Sequence, residues 1–282
     1  MRTLAAMKVA MTRLMFEKGS IRAKLSKELA KRTNLFPYET RIKYSAIDRP
    51  HYGYCVWQAA QLAKRLGHSR VSVIEFGVAG GNGLVNLEMH AREVNRLTGV
   101  ESQIFGFDTG GGLPPPADHR DLPHHWRQGF FAMKVDKLRA RLTQSTLVIG
   151  NIADTLPAFI QEHDPAPIGA ISMDLDYYSS TRDALALFDM HRSRVLPRAF
   201  LYFDDIIGDD ISLFCEHTGV LLAINEFNEK HESQKICKTT HLATTSSPET
   251  WHHQIYIYHD FGSEEYCKFV SEEAQQLPLK SS

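Results

Sequence analysis

Four aspartates stand in two pairs, Asp174 with Asp176 and Asp204 with Asp205. Each pair follows a short apolar run, residues 168–173 before the first and 199–203 before the second. Runs of that length and composition read as strands. Ends of neighbouring strands lie roughly 5 Å apart, so the carboxylates can converge. Crowded like charges repel unless a proton or a cation separates them. Hard divalent cations favour such oxygen ligands, and Mg2+ keeps positions open for water or substrate oxygens. The chemistry served is activation of a hydroxyl: a metal lowers its pKa and a nearby carboxylate takes the proton. On this reading Asp176, Asp204 and Asp205 are the metal ligands, and Asp176 is also the base. The same acids also fit solvated loops, and Asp176 precedes Ser179-Ser180-Thr181, a plausible helix start.

A second constellation lies earlier. Glu75 to Gly83 reads E-F-G-V-A-G-G-N-G and follows the β-branched run Val71–Ile74. Glycines after a strand let the backbone approach a ligand and turn tightly into the next helix. The spacing is not the dinucleotide fingerprint GxGxxG. Asp108 ends the next strand, 25 positions beyond Gly83. A carboxylate there can accept both hydroxyls of a ribose, although a loop or capping aspartate is the plainer alternative. Turn and carboxylate together suit S-adenosylmethionine. Glu75, Gly77, Gly80 and Gly83 are then expected around its amino-acid and sulfonium part, and Asp108 at its ribose. Asn151 is expected beside the adenine, and Asp174 is expected among the donor-binding residues on the same rim.

The elements that must hold these residues alternate. Helix is expected over 54–66, with Gly67 as a stop, then strand 71–76 and helix 84–97. Strand 103–107, a long Gly/Pro/His segment to about 129, helix 134–142 and strand 146–149 come next. Residues 157–162 read as helix, 168–173 as strand, 180–191 as helix, 199–203 as strand and 253–258 as a last strand. This order predicts an α/β fold: a mostly parallel sheet with helices on both faces and an antiparallel C-terminal strand. Ligands bind such sheets beyond the carboxyl ends of the strands. The acidic and glycine-rich elements all fall on that rim.

The chain has 282 residues, 43% of them hydrophobic, and a formal charge of −1, which offers no overall attraction to nucleic acid or an anionic membrane. Cys55, Cys215, Cys237 and Cys267 form no CxxC pair, so reduced thiols, no zinc site and a cytoplasmic setting are expected. No apolar run approaches the ~18 residues of a membrane span. Residues 1–34 carry nine Lys or Arg against Glu17 and Glu28. They read as one or two helices broken at Gly19-Ser20, packing on the domain, on a partner subunit or over the active site, with a targeting or membrane-touching leader as the alternative. The organisation expected is a helical extension over 1–50 and a donor-binding domain over 51–282, assembled as a homo-oligomer. Within it, residues 109–131 form a lid-like segment with His119, Arg120, Asp121, His124, His125 and Trp126. His124 or His125 is a candidate auxiliary base or acceptor ligand, set against a solvated surface pair. Trp126 is a candidate stacking surface or a loop anchor. His252-His253 is expected to decorate a strand edge.

These residues resemble a known family. Phe107 to Pro114, F-D-T-G-G-G-L-P, is similar to its F-D-S-x-x-G-L-P, and Asp154-Thr155-Leu156-Pro157 to its D-T-L-P. Asp174 to Leu185 is similar to D-x-D-x-Y-x-S-T-x-x-x-L, and Asp204-Asp205 to the acids of D-D-Y. The family is the macrocin and mycinamicin sugar O-methyltransferases, Rossmann-like class I enzymes, and the resemblance spans about residues 70–208. It implies Mg2+ at Asp176, Asp204 and Asp205, Asp176 as base, and methyl transfer from S-adenosylmethionine to a small-molecule hydroxyl, a sugar among the candidates. The chain departs from the pattern at Leu175, at Leu196-Pro197-Arg198-Ala199, at Ile206 and at the three glycines 110–112. The metal positions are kept, and the altered ones border the acceptor side. Two other readings are a metal-dependent hydroxylase resembling the cephalosporin hydroxylases, and a non-catalytic subunit with the donor fold.

Overall fold

Apolar residues on both sides of the central strands create two cores, one on each face of a sheet. In β1 (Arg70–Phe76), Val71 and Val73 face one core, while Ile74 and Phe76 face the other. The computed structural model describes residues 21–32, 35–245 and 248–271. The expected break at Gly19-Ser20 and the basic stretch before it lie outside the described residues.

The chain enters through α1 (Ile21–Arg32) and α2 (Tyr38–Lys43), then α3 (Pro50–Leu66). Pro50 opens α3, where its missing N–H costs no hydrogen bond, and Gly67 closes it at φ 89°. After β1 come α4 (Asn82–Thr98), β2 (Glu101–Asp108), α5 (Val135–Arg139) and β3 (Ser145–Ile149). Next are α6 (Ile152–Thr155), α7 (Phe159–His163), β4 (Ile168–Met173), α8 (Tyr178–Leu185), α9 (Leu187–Met190) and β5 (Val195–Phe203). Then come α10 (Gly219–Lys230), β6 (Gln234–Lys238) and β7 (Ile255–Asp260). The helix expected over 180–191 is divided between α8 and α9. His252 and His253 sit in a short 3-10 turn ahead of β7 rather than on its edge. His252 is buried there, and its Nδ1 accepts the Glu249 N–H at 3.0 Å.

The seven strands run in the order β3-β2-β1-β4-β5-β7-β6. β1 to β5 are parallel; β7 is antiparallel to β5 and to β6. The chain builds outward from β1 to β3 and then returns to place β4 on the other side of β1. A crevice opens at this reversal, beyond the carboxyl ends of β1 and β4. Each strand tip there is tied to its neighbour by a backbone hydrogen bond: Gly77 N–H to Phe107 O, Gly150 N–H to Asp108 O, Asp174 N–H to Phe76 O and Asp204 N–H to Met173 O. The rim is therefore one continuous ladder. Among the described residues no helix is long and apolar enough to cross a membrane.

One buried carboxylate fastens the glycine-turn helix to β3. Glu88 on α4 is 2% exposed. It accepts the backbone N–H groups of Thr143, Gln144 and Ser145, each at 2.9 Å, and both the Thr143 and Ser145 hydroxyls. Burial opposes its ionisation, but these bonds outweigh burial and hold its pKa down at about 2, from 4.5. The ionised form thus favours the folded chain. Its contribution is complete above about pH 4.5 and fades as pH falls toward 2, and it amounts to about 3 kcal/mol. Glu88→Gln is expected to lose most of this at pH 7, with a melting temperature several degrees lower. The gap from wild type should narrow in thermal melts below pH 4.5; a gap independent of pH removes the carboxylate as its source.

Candidate functional site

The crevice is a cavity of about 600 Å3, within the usual ~300–1,000 Å3 of small-molecule sites. Its walls bring together Gly77, Asp108, Gly150, Asn151 and the acids Asp174, Asp176, Asp204 and Asp205. The glycine turn and the acidic rim, 90 residues or more apart in sequence, thus share one space.

Gly77 lies at φ 83°, and a Cβ there would sit 1.7 Å from the Asp174 carbonyl oxygen. No side chain fits, because the ends of β1 and β4 touch at this point. Glu75, Gly80 and Gly83, expected at the same wall, do not line it. Glu75 points to the opposite side, onto α3. It is 1% exposed and accepts the Tyr52 hydroxyl at 2.7 Å, and burial pushes its pKa up to about 8. Gly83 is small because Glu75 occupies the space a Cβ would need, with Oε1 2.0 Å from it.

Asp108 does two things. It lines the cavity, and it also braces the glycine turn. Its Oδ2 accepts the Val78 and Ala79 N–H groups at 2.9 and 2.8 Å, and its Oδ1 accepts the Gly110 N–H at 2.7 Å. The turn it holds includes Ala79 at φ 46°, a conformation strained for a residue with a Cβ. A carboxylate offers about four acceptor positions, so three backbone bonds leave it one.

Strand parity decides which acids meet. Register pairs Ser172 with Tyr202 and Met173 with Phe203. The next residues, Asp174 and Asp204, therefore leave neighbouring strands on the same side. Asp174, Asp204 and Asp205 each bring a carboxylate oxygen within 4.8 Å of the others. The group of acids near enough to share a metal ion thus takes in Asp174 with Asp204 and Asp205, while Asp176, expected as a ligand, lies outside it. The reason is a tight reversal after β4. The Tyr177 N–H bonds to Leu175 O at 2.5 Å across Asp176, which sits at φ 61°, a γ-turn conformation. Asp176 is 6% exposed and lines the cavity beside the cluster, and its N–H donates to Asp205 Oδ2 at 3.0 Å. Burial first, and then the Asp205 and Asp204 charges, push the Asp174 carboxyl well above its usual range. Burial and the Asp174 and Asp204 charges lift Asp176 to about 7. Asp205 is raised by burial and by Asp176 and Asp204. Strain and crowded acids coincide at one rim, the pattern of a functional site.

The sequence places Asp121 in the 109–131 segment but assigns it no role. This carboxylate, 1% exposed, reaches from the 109–131 segment to α8. Oδ1 accepts the Ser179 N–H at 2.8 Å, and Oδ2 accepts the Ser179 hydroxyl at 2.9 Å and the Ala117 N–H at 2.8 Å. It caps the first turn of α8 from a distance, so Asp176 is free of that duty. His124 and His125 do not line the cavity. The His124 ring faces Ser212 O at 3.3 Å, and His125 packs against Trp126 and Phe214. Trp126 and Phe131 do line it, their rings 5.8 Å apart.

No protein-family model matches the chain, and no curated protein matches it. Among solved structures, the calicheamicin methyltransferase CalS11 is similar over 86% of this chain and 94% of its own, at 19% identity and a TM-score of 0.51. Cofactor-bound Rv0187 from MTB aligns over 86% of this chain and 92% of its own, at 14% identity and a TM-score of 0.42. TomG, an O-methyltransferase from Streptomyces achromogenes, aligns over 88% and 93%, at 13% identity and 0.39. The CalS11 likeness and the strand order agree: this chain has the Rossmann-like α/β fold of the class I methyltransferases.

Proposed function

We propose that the chain is an S-adenosylmethionine-dependent O-methyltransferase, assisted by a divalent cation and acting on a hydroxyl of a small molecule, with a sugar hydroxyl as the leading class. The observation that carries this is the single cavity joining the Gly77 turn and Asp108 to the four rim acids. The sugar preference rests on the resemblance of residues 107–114, 154–157 and 174–185 to sugar O-methyltransferases.

The donor set fits Mg2+. Three carboxylates supply hard oxygen ligands within one small space, and their mutual repulsion calls for a positive charge. Asp174, Asp204 and Asp205 would hold the ion. When bound, it would polarise the acceptor hydroxyl and lower its pKa. The remaining work falls to the chain. The Gly77 turn gives the donor's amino-acid end a bare backbone to lie on. Asp108 offers the ribose its remaining acceptor position, and Asn151 stands at the adenine end. Asp176, beside the acids, accepts the hydroxyl proton as the oxygen takes the methyl carbon and the sulfonium leaves as a neutral thioether. Trp126, Phe131 and Pro114 give the acceptor an apolar wall.

Calorimetry with S-adenosylmethionine, followed by transfer assays on free and nucleotide-linked sugars with and without chelator, tests this reading. Donor binding at micromolar to sub-millimolar concentration and chelator-sensitive transfer are expected. No donor binding at millimolar concentration sinks it.

A further inference from the structure

The Tyr202 hydroxyl donates a hydrogen bond to Asp204 Oδ1. Tyr202 is 4% exposed and lies one residue back along β5 from Phe203, on the face covered by α3. Its ring is fixed on that face. The His51 ring stacks on it at 4.1 Å with planes 23° apart, and Tyr52 meets it edge-on at 5.8 Å. Asp204 is also held through its backbone: Gln254 Nε2 donates to its carbonyl oxygen at 2.7 Å, and its N–H bonds to Met173 O at 3.0 Å. Main chain and carboxylate are thus anchored separately, and among the described residues Tyr202 is the side chain that anchors the carboxylate. An aspartate with one oxygen pinned has a fixed rotamer, and its other oxygen is free to face the cavity.

We infer that Tyr202 is a positioning residue, its buried hydroxyl fixing the Asp204 carboxylate so that Asp204 joins Asp174 and Asp205 in holding a divalent cation. The inference rests on the metal reading of the preceding section. Hydrogen-bond partners of metal ligands typically change affinity about 10- to 100-fold when removed. A purely structural tyrosine would alter stability and leave cation affinity alone.

The test uses Mn2+ as the probe, with binding to the full chain followed by loss of the free-ion electron paramagnetic resonance signal. Tyr202→Phe keeps the ring on His51, so the variant retains the packed face. It is expected to weaken Mn2+ binding about tenfold, with S-adenosylmethionine affinity unchanged. Asp204→Asn should weaken Mn2+ binding at least as much. Adding Tyr202→Phe to Asp204→Asn should then have no further effect, because the hydroxyl acts through that carboxylate. Mn2+ affinity of Tyr202→Phe within twofold of wild type overturns the inference, as does an additive effect in the double variant. If wild type itself binds no Mn2+, the metal reading falls and this inference falls with it.

Discussion

Asp176→Asn is expected to lower turnover by about 10^2- to 10^4-fold, the usual worth of a positioned general base, while S-adenosylmethionine affinity stays within about threefold. Asparagine is the informative replacement here. Asp176 sits at φ 61°, and asparagine tolerates that backbone better than alanine does. The N–H that bonds to Asp205 Oδ2 is a main-chain group and survives. What changes is one carboxylate oxygen and one charge. Removing that charge from beside Asp174, Asp204 and Asp205 relieves repulsion, because burial leaves those groups poorly screened. The metal-free variant should therefore melt no lower than wild type at pH 8, even as it loses activity. Single-turnover rates with saturating donor, calorimetric donor affinity and a thermal melt make the three measurements. Turnover within tenfold of wild type removes Asp176 as the base; a loss of donor affinity as large as the loss of rate makes it a donor contact instead.

The core strands are legible in the sequence because β1, β2, β4 and β5 are short β-branched or aromatic runs buried on both sides. Their order in the chain also places the rim correctly, since each run ends in glycine or acid. Which acids face one another is harder. It follows from register, and a pairing register is a property of two strands at once. Once Met173 is opposite Phe203, Asp174 must stand beside Asp204, but nothing local to either segment says so. The turn after β4 hides the same information: a γ-turn at a non-glycine residue has no reliable local signature. The role of Asp121 is hidden for a related reason, as its partner Ser179 is 58 residues away. Helix α10 carries a readable pattern, with Val220, Ala223, Ile224 and Phe227 buried at helical spacing. β6 carries almost none. It is an edge strand with an exposed Cys237 and Lys238, and its pairing with β7 alone defines it. Glu75 shows the reverse hazard. It has the right type and place for a ligand group, yet its position in the strand turns it toward Tyr52 under α3.

Gly77→Ala is expected to be the most damaging single change in the glycine turn, and Gly80→Ala the most innocuous. At position 77 two costs combine. The backbone at φ 83° is one that a Cβ disfavours. The added carbon would also fall 1.7 Å from the Asp174 carbonyl oxygen, a main-chain atom held by the sheet. Relief requires the tips of β1 and β4 to part, which breaks the Asp174 N–H to Phe76 O bond and moves an acid of the proposed metal set. A cost above about 4 kcal/mol is expected, at the exceptional end for one substitution, with a fall in melting temperature of roughly 10 °C or more. Donor and Mn2+ binding should fail together, since one shift disturbs both. At position 80 an added Cβ meets nothing within 4 Å, and the glycine does not line the cavity. Its alanine variant should therefore melt like wild type and bind S-adenosylmethionine with unchanged affinity. The pair separates two explanations of the motif. If the glycines serve mainly to admit the donor, Gly80→Ala should weaken binding and leave stability alone. If close approach of neighbouring atoms is the main demand, Gly77→Ala should matter and Gly80→Ala should not, and Gly83 is small for the same steric reason, since its Cβ would fall 2.0 Å from Glu75 Oε1. Thermal melts with calorimetry on both variants decide between them, and the contact at Asp174 favours the second.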